Sequence, residues 1–241
     1  EDHAKVGMFN LSLAAEAQPL QYRGHRRLVG TLDLDGDLIP GVERADTGGR
    51  PGEDHVARAL GYDFVEPAAA LAECCARNDV LLIADEIQTG LGRTGKLLAC
   101  QHEGVNPDGL ILGKALGGGI LPVSMFLARR DVMEVFTPGD HGSTFGGNPL
   151  GAAVGLEALN ILIDEKLADN SARMGRYLLD ELAKIDSPVV KEVRGRGLFI
   201  GLEINPELAS ARAICEALME RGLLSKETHQ TVVRLAPPLV I

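Results

Sequence analysis

A lysine lies in this sequence where its amine could act as a nucleophile. Lys114 follows an apolar run at residues 110–112 and precedes a glycine-rich stretch at 117–119. A lysine that is partly removed from water has a lowered pKa, so its uncharged amine can attack a carbonyl group. The glycines allow the backbone to approach a bound ligand closely. Taken alone, the pattern is also typical of an ordinary surface lysine.

A carboxylate follows a predicted buried strand. Residues 80–84 are continuously apolar, which predicts a short strand buried on both faces, and Asp85 comes directly after them. In α/β proteins, ligands bind at the carboxyl ends of parallel strands, so Asp85 is a candidate ligand-binding residue. A capping role in a turn or helix is an equally good interpretation of Asp85 alone.

Hydroxyl groups precede a predicted helix further along the chain. Ser143 and Thr144 lie shortly before Asn148 and Pro149, where helical periodicity begins. Hydroxyls and backbone amides at a helix N-terminus suit a phosphate group. The alternative is a simple N-cap by Asn148 with Pro149 as the first helical residue, and both interpretations can hold together.

The three segments together match the needs of pyridoxal 5'-phosphate. That cofactor requires a lysine for a Schiff base, a carboxylate that keeps its pyridine nitrogen protonated, and donors for its phosphate. Lys114, Asp85 and the hydroxyls of Ser143 and Thr144 supply these groups. We therefore predict this cofactor. No metal is predicted, because no pair of the four cysteines has the spacing of zinc ligands.

Strands that alternate with helices must position these groups, and they predict an α/β fold. The predicted strands are residues 80–84, 110–112, 123–128, 197–204 and 231–235, with a hairpin turn at 35–36. The predicted helices are residues 68–77, Pro149–Asp164, 167–185 and 206–221. We predict a poorly defined N-terminal remnant over 1–61, a cofactor-binding large domain over 62–160 and a smaller C-terminal domain over 161–241.

The composition narrows the class of partner. The formal net charge of −10 and the pI near 5.1 argue against nucleic acid and anionic membranes. No apolar run is long enough to span a bilayer, and the cysteines are best interpreted as free thiols. We expect a soluble, cytoplasmic protein with small-molecule ligands.

Several strings of residues resemble those of class-III aminotransferases. They are residues 81–95, 112–119 and 141–150, and the ending 228–239 resembles the branch of that family that acts on ornithine. The resemblance implies the fold-type I architecture, a mainly parallel sheet flanked by helices with a smaller C-terminal α/β domain. It also implies a homodimer with shared active sites.

The resemblance implies a reaction as well. The δ-amino group of L-ornithine would pass to 2-oxoglutarate, giving glutamate 5-semialdehyde and glutamate. Acetylornithine and 4-aminobutyrate are the alternative amino donors within the family.

The resemblance assigns roles to individual residues. Lys114 would hold the cofactor covalently and carry the proton that moves during the reaction. Asp85 would pair with the pyridine nitrogen, and Gln88 would contact the ring hydroxyl. Ser143 and Thr144 would bind phosphate, in a loop that reaches across to the partner subunit's cofactor.

The resemblance assigns further roles to residues in the first third of the chain and near its last residue. Arg234 would bind the α-carboxylate of glutamate or 2-oxoglutarate as a bidentate fork. Glu66 resembles the start of the family's Glu-Pro motif, or else is a solvated loop carboxylate. Thr47 and Gly48 belong to a stretch, 46–54, that resembles a worn version of the family's phosphate-binding loop.

The chain also departs from the family pattern. Nothing between residues 62 and 65 supplies the long stretch that carries the aromatic residue stacked on the cofactor ring. Two interpretations stay open. The sequence joins segments of a longer protein, or the gene product is itself shortened and its cofactor pocket is weakened. The second leaves room for a non-catalytic scaffold that binds a partner.

Overall fold

The structure is a computed structural model that describes residues 27–28, 67–77 and 80–241. The described chain divides into two units. One contains the described residues up to Leu91 and Cys100–Ile161, and the other contains Gly92–Ala99 and Leu162–Ile241. The division into three parts at 61 and 160 stays a prediction, and the predicted turn at 35–36 lies outside the described residues.

The first unit begins with short elements. Strand β1 is Arg27–Leu28 and pairs in parallel with β2, Val80–Leu81. Helix α1 spans Pro67–Arg77, close to the predicted 68–77. Strand β3, Ile83–Asp85, starts a second sheet.

The predicted strand at 80–84 is therefore two strands, and Leu82 is the reason. Its amide donates to the Oδ2 atom of Asp108 at 2.8 Å. Its carbonyl accepts from the amides of Asp108 and Gly109. A side chain thus takes the place of a ladder partner, and the residues on either side pair with different strands.

The second sheet of this unit has the order β3-β4-β5. Strand β4, Gly109–Leu112, pairs in parallel with β3, and β5, Met125–Ala128, pairs antiparallel with β4. Two further helices follow in the chain. Helix α2 is Arg130–Met133, and α3 spans Pro149–Asp164, the predicted range.

The second unit is a four-stranded antiparallel sheet with two helices. Its strands are β6 (Val190–Arg196), β7 (Phe199–Ile204), β8 (Lys226–Thr228) and β9 (Val232–Leu235), in the order β6-β7-β9-β8. Helix α4 is Leu167–Leu182 and α5 is Ala211–Glu220. The core residues are Ile200, Leu202, Ile204, Ala211, Cys215 and Val233.

One prediction for this unit is wrong in part, and two strands are not expected from the sequence. The helix predicted over 206–221 begins at Ala211, because the hydroxyl of Ser210 accepts from the amide of Ala213 at 3.1 Å and caps the helix there. Strands β6 and β8 were not predicted, since both are edge strands with charged residues. No helix in the described ranges is long and apolar enough to cross a membrane.

Candidate active site

Asp85 and Lys114 come at the ends of neighbouring parallel strands. Asp85 is the last residue of β3 and pairs with Ile111 of β4. The amide of Glu86 continues this pairing by donating to the carbonyl of Ile111 at 2.9 Å. Lys114 follows the end of β4 by two residues. Parallel strands lie about 4.8 Å apart, so the carboxylate and the amine belong to the same edge of the sheet.

The turn after β3 fixes the Asp85 carboxylate. Its Oδ1 atom accepts a hydrogen bond from the amide of Ile87 at 2.9 Å. The Ile87 side chain packs against Gly113, where a Cβ atom would lie 3.4 Å from Ile87 Cγ2. The turn that carries Asp85 and Gln88 therefore contacts the residue immediately before Lys114.

The backbone of Lys114 has an uncommon conformation. Its φ is 43°, in the left-handed region that residues with a Cβ atom rarely occupy. It begins a tight turn, Lys114–Gly117, in which the amide of Leu116 donates to the carbonyl of Gly113 at 3.0 Å. Strain of this kind, about 1–3 kcal/mol, concentrates at functional sites. The lysine starts the glycine-rich turn that the sequence predicts, but it is exposed, so the partial removal from water that the sequence suggested is not seen.

Helix α3 packs on that glycine-rich turn through small residues. A Cβ atom at Gly155 would lie 3.6 Å from the carbonyl oxygen of Leu116. A Cβ atom at Gly118 would lie 3.6 Å from the Cβ of Ala158. The close approach of the helix holds the turn that follows Lys114 from one side.

The hydroxyl-bearing loop runs into the N-terminus of α3. The hydroxyl of Ser143 accepts from the amide of Gly146 at 3.0 Å, and a hydroxyl that accepts can still donate its own hydrogen. Asn148 caps the helix, because its Oδ1 accepts from the amide of Gly151 at 2.7 Å. The predicted N-cap is thus confirmed, and it leaves Ser143 and Thr144 exposed.

Glu86 was given no role from the sequence, and it is the most buried acid of this region. Only 3% of its surface is exposed. Its Oε2 accepts from the Thr89 hydroxyl and its Oε1 from the Cys100 amide, both at 2.7 Å. Burial, and then the nearby carboxylate of Glu86, raises the pKa of the Cys100 thiol to about 11. The sequence could have indicated this structural role of Glu86, because a carboxylate next to a buried apolar strand must find hydrogen-bond partners.

Four further residues are predicted for the site: Arg234, Glu66, Thr47 and Gly48. Arg234 is in β9 of the second unit, where it pairs with Gly201 of β7. Thr47, Gly48 and Glu66 lie outside the described residues. The structure therefore brings Asp85, Gln88 and Lys114 to one sheet edge, with Ser143 and Thr144 in the loop that precedes α3.

Known proteins share this arrangement of elements. Residues 60–241 match the model of a protein family, aminotransferase class-III. The chain is 60% identical over 178 residues to the ornithine aminotransferase of Bacillus subtilis (strain 168). That alignment covers 74% of this chain and 43% of the relative.

Solved structures agree with this. One is an ornithine aminotransferase from Toxoplasma gondii, described with partial occupancy of PLP at its active site. It has a TM-score of 0.70 and is 49% identical in sequence, and the match covers 73% of this chain and 43% of the Toxoplasma gondii chain. An acetylornithine aminotransferase from Elizabethkingia anophelis has a TM-score of 0.69 and is 50% identical in sequence. That match covers 72% of this chain and 44% of the Elizabethkingia anophelis chain. The predicted family and fold class are confirmed, and pyridoxal phosphate is confirmed as the cofactor of the family. This chain spans less than half the length of these relatives.

Proposed function

Because the chain belongs to the class-III aminotransferase family, we propose that it transfers the δ-amino group of L-ornithine to 2-oxoglutarate. The products are glutamate 5-semialdehyde and glutamate, and the cofactor is pyridoxal phosphate. The observation that carries the proposal is the pair Asp85 and Lys114 at the carboxyl ends of adjacent parallel strands. The 60% identity to an ornithine aminotransferase supports ornithine as the donor.

The chemistry of the donor set fits this cofactor. A carboxylate, an amide and an amine come from Asp85, Gln88 and Lys114, and two hydroxyls come from Ser143 and Thr144. When bound, pyridoxal phosphate supplies an electron sink for the carbon that bears the migrating amino group. The protein supplies orientation, proton transfer and charge.

Each residue then has a physical task. The Asp85 carboxylate, oriented by the Ile87 amide, keeps a proton on the ring nitrogen, since an ionised acid beside that nitrogen favours its charged form. The Lys114 amine removes a proton from the carbon that bears the amino group and later returns one. Arg234 binds a substrate carboxylate as a planar fork.

We also propose that the active protein is a homodimer. Large apolar side chains of α3 face solvent: Leu150 is 62% exposed and Leu156 62%. Phe145, beside Ser143 and Thr144, is 71% exposed. Exposed apolar surface of this kind marks an interaction site. A second copy on this face would cover it and bring the hydroxyl-bearing loop to the partner's cofactor.

The compartment is proposed to be the cytoplasm. Among the cysteines that the structure describes, Cys75, Cys100 and Cys215 form no disulfide, and disulfides are rare where glutathione keeps thiols reduced.

The experiment that tests the function follows the cofactor and the products. Protein mixed with pyridoxal phosphate is reduced with borohydride, digested and mapped, and we expect the label on Lys114. Incubation with ornithine and 2-oxoglutarate should yield pyrroline-5-carboxylate. Lys166→Ala is the matched control for Lys114→Ala, because Lys166 is also exposed with a positive φ, 52°, but follows no strand.

The outcomes separate the alternatives. Turnover with acetylornithine but not with ornithine would replace the proposed donor, an alternative that the 50% identity to the Elizabethkingia anophelis enzyme keeps in view. Protein that takes up no cofactor at Lys114 would be a scaffold rather than an enzyme.

A further inference from the structure

Arg93 occupies a central place in the second unit. It lies in Gly92–Ala99, the short segment that this unit receives from between two segments of the first. Its Nη1 atom donates to two main-chain carbonyls, that of Leu198 at 3.1 Å and that of Pro237 at 2.5 Å. Leu198 directly precedes β7, and Pro237 follows the end of β9.

These two carbonyls are opposite each other across the sheet. Strands β7 and β9 are antiparallel, and their last recorded pair is Ile200 with Leu235. The same register, continued by two residues, pairs Leu198 with Pro237. A proline has no amide hydrogen, so a regular ladder bond from Pro237 is impossible. The Arg93 guanidinium bridges the two carbonyls instead and closes this end of the strand pair.

Arg93 is itself held firmly. Its carbonyl accepts from the Leu198 amide at 3.0 Å and from the Ser171 hydroxyl at 2.9 Å. Ser171 is completely buried, and its oxygen also accepts from the Leu198 amide at 3.0 Å. The main chain and the side chain of Arg93 are therefore both fixed to the β7 end of this strand pair.

The strand that Arg93 secures carries Arg234. Arg234 pairs with Gly201 and lies three residues before Pro237. Burial lowers the pKa of the Arg93 guanidinium, and the positive charge of Arg234 lowers it further. The two guanidinium charges therefore repel each other, and a carboxylate bound by Arg234 would relieve that repulsion.

We propose that Arg93 is a positioning residue for Arg234, holding the end of β9 against β7 through the Leu198 and Pro237 carbonyls. This rests on the proposed function, in which Arg234 binds that carboxylate. Arg93 acts through Arg234 and needs no contact with the substrate.

The test measures carboxylate binding apart from catalysis. Glutarate, a dicarboxylate without a reactive carbonyl, is titrated by calorimetry into protein loaded with pyridoxal phosphate. Arg93→Gln removes the charge, and Arg93→Lys keeps the charge but loses the planar guanidinium that donates to both carbonyls. We expect both to weaken glutarate binding, on the order of tenfold for Arg93→Gln and less for Arg93→Lys, as for groups that orient the ligands of a metal site. The KM for 2-oxoglutarate should rise in parallel, with kcat changed less.

Controls keep the result interpretable. Arg176→Gln, at an exposed arginine of α4, should leave glutarate affinity unchanged. Thermal unfolding is recorded for every variant. Ser171→Ala removes the hydroxyl that donates to the Arg93 carbonyl and accepts from the Leu198 amide, and it gives a milder form of the same test if Arg93→Gln does not fold. We expect it to weaken glutarate binding in the same direction.

The decisive comparison is a double-mutant cycle. In an Arg234→Lys background, Arg93→Lys should have little further effect on glutarate, because Arg93 acts through Arg234. Folded Arg93 variants that bind glutarate normally, or effects that simply add, would overturn the proposal. If Arg234→Lys itself leaves glutarate affinity unchanged, the assignment of Arg234 in the proposed function is wrong, and the role of Arg93 fails with it.

Discussion

Glu86 is buried next to Asp85, and its two oxygens hold Thr89 and the Cys100 amide. It thereby closes the point where the chain leaves the first unit after Leu91 and returns at Cys100. Removing one partner of a buried carboxylate costs about 1–3 kcal/mol of folding free energy. Substitution of Thr89 or Glu86 should therefore disturb this pair of hydrogen bonds. We expect these bonds to fix the turn that orients the Asp85 side chain.

The reactivity of the Cys100 thiol depends on pH in a way that reflects its contact with Glu86. A pKa of about 11 in place of the ordinary 9.0 reduces the thiolate fraction at neutral pH about a hundredfold. We expect alkylation of Cys100, followed by mass spectrometry, to keep accelerating above pH 9 rather than level off. The folded thiol holds its proton more tightly than the unfolded one. Its contribution to stability is therefore complete below about pH 9 and is lost as the pH rises through about 11.

Glu86→Gln should move this profile toward lower pH. It should not restore the ordinary value, because burial is the larger cause. Glu134→Gln, at an exposed acid of the same unit, is the control and should change nothing. An identical profile in Glu86→Gln would show that the carboxylate does not act on the thiol.

Among the elements, the hairpin between β8 and β9 contains two residues with positive φ. His229 has φ 49° and Gln230 has φ 63°. Residues with a Cβ atom are destabilised in this region by about 1–2 kcal/mol, and glycine is not. Gln230→Gly should therefore stabilise the protein by about 0.5–1 kcal/mol after the entropic cost of glycine, measured by urea unfolding. Gln230→Ala keeps the Cβ atom and should bring no such gain. An equal gain in both variants would contradict the backbone explanation.

Helix α4 meets the turn between β6 and β7 through glycine. A Cβ atom at Gly175 would lie 2.0 Å from the carbonyl oxygen of Gly197, which is main chain and cannot rotate away. Gly175→Ala should destabilise the protein by about 1–3 kcal/mol or more. Gly142→Ala is the control, because nothing lies within 4 Å of its added methyl group. A stable Gly175→Ala protein would mean that α4 can move away from the turn at little cost.

The accuracy of the sequence predictions followed the strength of local signals. Helix α3 has Asn148 and Pro149 at its start and was predicted to the residue. The break at Leu82 was not predictable, because its cause is the carboxylate of Asp108, distant in sequence. Strand β6 was missed since it is a sheet edge, and its Arg194 pairs with Glu203 of β7 at 3.0 Å, so its polar residues hide the alternation.

For the whole molecule, the candidate site could be predicted only in part. Asp85 and Lys114 each follow an apolar run, so strand pairing alone brings them to one edge. The roles of Glu86 and Arg93 depend on contacts with Cys100 and Pro237 that no local pattern contains. The match to the Bacillus subtilis relative covers 43% of that protein's length.

The proposed homodimer makes a prediction about the exposed face of α3. The charged residues of this helix, Glu157 and Asp164, lie on the same side as Leu150, whereas Leu156 points about 80–100° away from them. A charge placed inside a covered apolar surface must be desolvated, at a cost of several kcal/mol. Leu156→Glu should therefore convert a dimer into monomers in analytical ultracentrifugation.

Met219→Glu is the matched control for that substitution. Met219 is an apolar residue of α5 with 55% exposure, close to the 62% of Leu156, and the proposed interface does not include it. It should leave the dimer intact. Monomeric wild-type protein, or a Leu156→Glu dimer as tight as the wild type, would show that a second copy does not cover this face. A monomeric Leu156→Glu protein should also bind pyridoxal phosphate less tightly, because Ser143 and Thr144 would no longer reach a partner's cofactor.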